Sequence, residues 1–224
     1  MTMSWEDGVR DPSRIAALER SGLLGTGAED AFDRLTELAA ELVGAPRACM
    51  TLVDAEQYTF KSAVGIAEGA AVPGLVEESF CRYVVGFGRP LVVDDTRSDP
   101  RTCDHPAIEL LGIAAWAGYP IEDPDGAILG SFCVIDTSPH AWLDRDIRVV
   151  ATLSRAASAE IALSNARRAL VATQEEVGEI RLSVERERAA LIARIEGLLT
   201  SPEQVTRLAN ELLGELTDPD RHRP

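Results

Sequence analysis

A CxxC pair is missing from this 224-residue chain, and so is any HxxxH spacing. Its four cysteines, Cys49, Cys81, Cys103 and Cys133, stand far apart. Such spacing argues against a structural zinc site, and a disulfide framework does not suit a chain this long and thiol-poor. Clustered basic charge is missing too. Lysine occurs once, at Lys61, the remaining basic residues are arginines scattered among acids, and the net charge is −15. That argues against nucleic acid as a partner, because phosphate contacts need grouped Lys and Arg, and it disfavours a membrane surface for the same reason. No run approaches a membrane span, and the start MTMSWEDGVRDP lacks an apolar signal core. The expectation is a cytoplasmic protein with no metal, nucleic-acid or membrane partner.

What is present is a hydrophobic content of 46%, enough for one sizeable core plus an extension. Asp11 and Pro12 form an N-cap and N1 pair for a short helix that Gly22 ends. Thr26 and Glu29 have capping-box spacing, and Phe32, Leu35, Leu38 and Leu42 then recur at helical intervals until Gly44 and Pro46. From Ala48 the period becomes two, through ACMTLVD and YTFKSAV, which predicts an antiparallel strand pair. A Gly- and Ala-rich loop follows. Ser79 is placed to cap a short helix, FCRYVVGFG, ahead of the apolar strand PLVVDD. After a polar loop and a short helical stretch near Ile108 to Leu111, AAWAGYPI and AILGSFCVID read as strands joined by the turn DPDG.

Beyond Asp144 a helical pattern runs to about Leu199 without proline, a length of about 80 Å at 1.5 Å per residue. Leu163, Leu170, Val177, Val184, Leu191 and Leu198 recur every seventh residue. So narrow an apolar face fits a coiled-coil seam better than a core helix, and predicts a homodimer. The fold class is therefore α+β, an antiparallel sheet flanked by helices with a long C-terminal coiled-coil helix. The expected divisions are an N-terminal tail (1–10), a globular domain (11–160), a coiled coil (161–199), a further helix (200–217) and a disordered tail (218–224).

The segments FCRYVVGFGRPLVVDDTRSDPR and GIAAWAGYPIEDPDGAILGSFCVIDTSPHAW resemble a GAF domain, of the type found ahead of phosphatase or histidine-kinase outputs in bacterial signalling proteins. The likeness spans roughly Ile15 to Ala166 and is strongest at SFC, GRPLVVDD, AGYPI and LGSFCVID. It implies a ligand-sized pocket on one sheet face and terminal helices that pair in dimers on the other. Only about 60 residues of helix follow the domain here, so the implied output is a partner signalling protein or the dimer itself.

The candidate ligand-binding residues are Phe60, Phe80, Cys81, Asp95, Cys103, Trp116 and Asp136. Phe60 and Trp116 offer stacking surface or serve as core; Asp95 and Asp136 end strands as polar ligand contacts or as turn caps. Cys81 is either a small buried apolar residue or a thiol activated by a helix start, and Cys103 is expected in a solvent-accessible loop. Cys81, Cys103, Glu109 and Asp136 also occupy places similar to functional residues of the free methionine-(R)-sulfoxide reductases, which are GAF domains. If the chain is redox-active, Cys81 and Cys103 are the expected pair, although the upstream cysteine of those enzymes is missing between Gly65 and Glu78. Bilin attachment fails on Asp104, which separates Cys103 from His105, and the Asn-Lys-Phe-Asp-Glu signature of cyclic-nucleotide-binding members is not visible. His105 as a haem ligand stands as a further alternative, and no cofactor is named. The leading expectation is a dimeric sensor of an unknown small molecule or of redox state. The alternatives are a sulfoxide-reductase-like thiol enzyme and a ligand-free dimeric interaction module.

Overall fold

The computed structural model describes residues 4–27, 29–66, 72–199 and 202–217. The chain divides into two compact units, residues 1–167 and residues 168–224.

Among the described residues the first unit has six strands: β1 (Arg47–Val53), β2 (Gln57–Val64), β3 (Gly74–Leu75), β4 (Leu91–Val93), β5 (Ala115–Glu122) and β6 (Ile128–Asp136). They form one sheet in the order β3-β2-β1-β6-β5-β4, antiparallel at every pairing. The first and last long strands thus meet in the middle. Because side chains alternate across a strand, β1 sends Ala48, Met50 and Leu52 to one core and Cys49 and Val53 to another. In β6 Phe132 and Val134 join the first, Cys133 and Ile135 the second.

The first core is covered by α2 (Pro12–Ser21), α3 (Asp30–Val43) and the start of α6 (Asp144–Leu199). Val150, Ala157 and Ile161 of α6 are fully buried there, and burial of the two larger side chains contributes about 1.5–3 kcal/mol each. The opposite core lies under α1 (Trp5–Val9), α4 (Cys81–Phe87) and α5 (Ala107–Leu110). A last helix, α7 (Pro202–Thr217), belongs to the second unit.

Three expectations need correction. Residues 5–9 are not tail but the helix α1, capped by Ser4. It crosses α4 where two glycines meet: a Cβ on Gly8 would lie 2.0 Å from the Gly86 carbonyl oxygen, and one on Gly86 would lie 2.3 Å from that of Trp5. Thr26 does not cap α3. Its hydroxyl instead accepts from Lys61 Nζ (2.6 Å), which also pairs with Glu29 (2.6 Å) and the Gly27 carbonyl (2.8 Å). The single lysine is a buried pin between β2 and this turn.

The buried face of α3 is also rotated from the leucine pattern. Phe32, Thr36, Ala39 and Val43 face inward, while Leu38 and Leu42 are 40% and 51% exposed. Thr36 tolerates burial because its hydroxyl lies 2.7 Å from that of Ser62, which donates to Asp33 (2.6 Å). The expected tail 218–224 lies outside the described residues, as does the side chain of Leu198.

Arg14 of α2 carried no signal in the sequence. It is buried, and its guanidinium donates to the carbonyls of Val9 (3.0 Å), Val53 (2.6 Å), Ile128 (3.2 Å) and Asp54 (3.3 Å). Burial lowers its pKa to about 10, against the pull of Asp54 and Asp11. It ties the α1–α2 junction to β1 and β6.

Candidate functional site

The sheet face under α4 concentrates the chemistry. Cys49 of β1 and Cys133 of β6 stand opposite each other in strand register, and Thr51 stands opposite Ser131 one step further along the same face. Cys81, at the first position of α4, packs into the same cluster. All three thiols are free and buried. Ser79 does not cap the helix as a whole, but its hydroxyl accepts from the Cys81 amide (3.2 Å).

Hydrogen bonding from Cys133 lowers the Cys81 thiol pKa to about 6; burial opposes this, and the Ser131, Ser79 and Thr51 hydroxyls add to it. Cys133 moves the other way. Its bonds to Cys49 and Cys81, together with burial, raise its pKa well above the usual thiol value. The pair is thus polarised into one acidic and one reluctant thiol.

Aromatic rings close the face around the trio. The Trp116 indole lies over Gly118, where a Cβ would come within 2.3 Å of the ring, and Gly118 is the strand neighbour of Cys133. Phe80 packs 6.0 Å from Trp116 and 4.4 Å from His105, centroid to centroid. Both Phe80 and Trp116 are buried, while Phe60 is half-buried and meets Tyr58 edge-on. His105 accepts from the Ala107 amide through Nδ1 (3.1 Å), which leaves the proton on Nε2. Burial and the Arg82 charge lower its pKa to about 4.

Two concavities open along the β4 edge of the sheet. One, of about 570 Å³, is lined by Tyr83, Phe87, Arg89, Pro90, Leu91 and Arg101. A second, of about 600 Å³, shares Arg101 and adds Asp94, Asp95, Trp142 and Ile147. Both fall within the range of small-molecule sites. Arg101 is held by Asp99 and the Val92 carbonyl. The cavity-lining residues Tyr83, Phe87, Arg89 and Arg101 carried no sequence signal beyond their neighbourhood in the chain.

The predicted site residues therefore divide. Phe60, Phe80, Cys81 and Trp116 come together under α4. Asp95 lines the second cavity, but its carboxylate accepts from the Arg97 amide (3.0 Å) and the Ser98 hydroxyl (2.6 Å), which with other bonds lowers its pKa. Asp136 is likewise engaged with Ser138 and His140; burial raises its pKa, and those bonds outweigh it. Cys103 is exposed in the 94–106 loop, and Glu109 pairs with Arg97 on the surface. The thiol that meets Cys81 is Cys133, which also stands opposite Cys49. Recognising this required strand register, which spacing alone does not contain.

The junction from sheet to output helix is also built. Asp136 ends β6, and its carboxylate lies 3.0 Å from His140 Nδ1. His140 stacks on Trp142, whose indole Nε1 donates to the Val93 carbonyl (3.0 Å) and whose amide donates to Asp94 (3.2 Å). Asp146, buried in the first turn of α6, accepts from the Leu143 amide (3.0 Å).

Comparison with known proteins agrees with this architecture. A cyclic di-GMP phosphodiesterase of Pseudomonas aeruginosa is 30% identical over 151 residues, which is 66% of this chain and 25% of that protein. The chain therefore spans about a quarter of the length of that relative. The GAF domain of PixJ from Thermosynechococcus elongatus, in its blue-light-absorbing form, superposes with a TM-score of 0.56 at 17% identity, over 74% of this chain and 97% of that one. The GAF domain of a phosphoenolpyruvate-protein phosphotransferase from Coxiella burnetii gives 0.54 at 17% identity, over 70% and 95%. The GAF domain family model matches residues 27–161. By sheet order, by the helices on its two faces and by that match, the chain belongs to the GAF domain family.

Proposed function

We propose that the chain is a cytoplasmic sensory module whose domain takes up a small molecule or responds to redox state and signals through a dimeric C-terminal coiled coil to a partner protein. The observation that carries this reading is the junction from Asp136 through His140 and Trp142 to α6. It links the strand bearing Cys133 directly to the start of the long helix. Trp142 and Asp94 also line the second concavity, so occupancy there bears on the same contacts. Among the described residues no helix is long and apolar enough to cross a membrane.

The seam supports pairing. Leu163, Leu170, Val177, Val184 and Leu191 are 54–59% exposed at intervals of seven, a costly arrangement for a lone helix in water. A ligand must bind the alternative helix pairings with different affinity to drive a signal. In the phosphodiesterase the shared segment is a quarter of a larger protein, a proportion that suits a regulatory part.

The test is native mass spectrometry of freshly purified protein, joined to thermal melts against a panel of nucleotides, amino acids and pigments. A small-molecule mass increment, or a melting shift with one class, supports the ligand arm. Bare protein with no shift from any class leaves redox response as the sensory input. If the α6 exchange measurement below is also unchanged, the sensory reading fails.

A further inference from the structure

We propose that Cys81 and Cys133, buried together under α4, form a hydroperoxide-responsive dithiol with Cys49 as a flanking thiol. The geometry is the argument. Three free thiols from α4, β6 and β1 converge on one sheet face, two of them in direct cross-strand register. Three buried hydroxyls surround them, those of Thr51, Ser79 and Ser131. An apolar core has no use for this concentration of polar and nucleophilic atoms. The acidity of Cys81 assigns it the attacking role and leaves Cys133 to resolve. Cys81 is only 3% exposed, so the oxidant class is small and uncharged.

The chemistry balances with a hydroperoxide as the one co-reactant. The Cys81 thiolate attacks the outer peroxide oxygen; a sulfur–oxygen bond forms, the oxygen–oxygen bond breaks, and the departing oxyanion takes a proton from solvent. The Cys133 sulfur then displaces hydroxide from the sulfenic acid. A disulfide forms as the sulfur–oxygen bond breaks, and the Cys133 proton leaves with the hydroxide as water. Two electrons pass from the thiol pair to the peroxide. The product ties α4 to β6, the strand that runs into α6. That consequence rests on the sensory reading; the thiol chemistry does not.

The experiment uses the full chain, reduced, freed of reductant and treated with one equivalent of hydrogen peroxide at pH 7. Thiols are then alkylated in denaturant and the peptides mapped without reduction. Alkylatable thiols are expected to fall from four to two, with a peptide joining Cys81 to Cys133 and with Cys49 and Cys103 alkylated. Cys103→Ser should behave identically. In Cys133→Ala, checked for folding by circular dichroism, dimedone should trap a sulfenic acid on Cys81. Four surviving thiols, oxidation confined to Cys103, or a Cys49–Cys133 link with Cys81 alkylated would each overturn the proposal. Hydrogen exchange across α6 separates the two readings: a Cys81–Cys133 disulfide without altered exchange keeps the thiol site and counts against redox signalling through the helix.

Discussion

The His140 imidazole lies flat against the Trp142 indole, centroids 4.0 Å apart, at the point where the sheet hands over to α6. The stack is fixed at both ends, by Asp136 on the imidazole and by the Val93 carbonyl on the indole. Trp142→Phe keeps an aromatic ring and removes the N–H that donates to the buried Val93 carbonyl. The expected loss is about 1–3 kcal/mol in urea unfolding, and unchanged stability would show that the junction is slack.

Arg14 offers a second test of how the first unit is held. Arg14→Ala leaves the Val9 and Val53 carbonyls without their guanidinium donor, along with the bonds to Ile128 and Asp54. A loss of about 3–5 kcal/mol is expected, within the range for breaking buried polar networks. Arg14→Lys should recover only part of it, because an ammonium cannot present the planar fork. Equal stability of wild type and Arg14→Ala by denaturant titration would contradict this.

His105 gives stability a pH dependence whose sign is fixed. Its folded pKa is about 4, lowered by burial and by Arg82, against an ordinary value of 6.5; the Arg82 guanidinium and the Phe80 and Tyr83 rings face it. Between those values the unfolded chain binds the additional proton. Its contribution is therefore fully present above pH 6.5 and lost as pH falls toward 4, at up to about 1.4 kcal/mol per pH unit. His105→Gln should flatten that part of the stability profile. A slope identical to wild type would mean that His105 is not the group responsible.

Much of the sheet was legible in the chain because its signals are local. Period-two runs located β1 and β2, and β5 and β6 were read as strands joined by the turn DPDG, where Asp123 accepts from the Asp125 and Ala127 amides. Asp144 marked the start of α6. What escaped was non-local. The inward face of α3 depends on Ser62 satisfying Thr36, and Arg14 reaches carbonyls on two distant strands. The partners of Cys81 follow from β1 pairing with β6, the two strands that the rest of the sheet separates in sequence. The resemblance to the sulfoxide reductases pointed to Cys103, whereas strand register leads to Cys49 and Cys133.

Signalling through the long helix requires α6 to join two copies of the chain. Sedimentation equilibrium of the wild type, Val177→Asp and Val184→Asp measures this directly, since these seam residues are 59% and 57% exposed and a carboxylate at a paired interface must be desolvated. The predicted result is twice the 24.1 kDa chain mass for the wild type and a single chain for each variant. A monomeric wild type, or variants that stay dimeric, would contradict it.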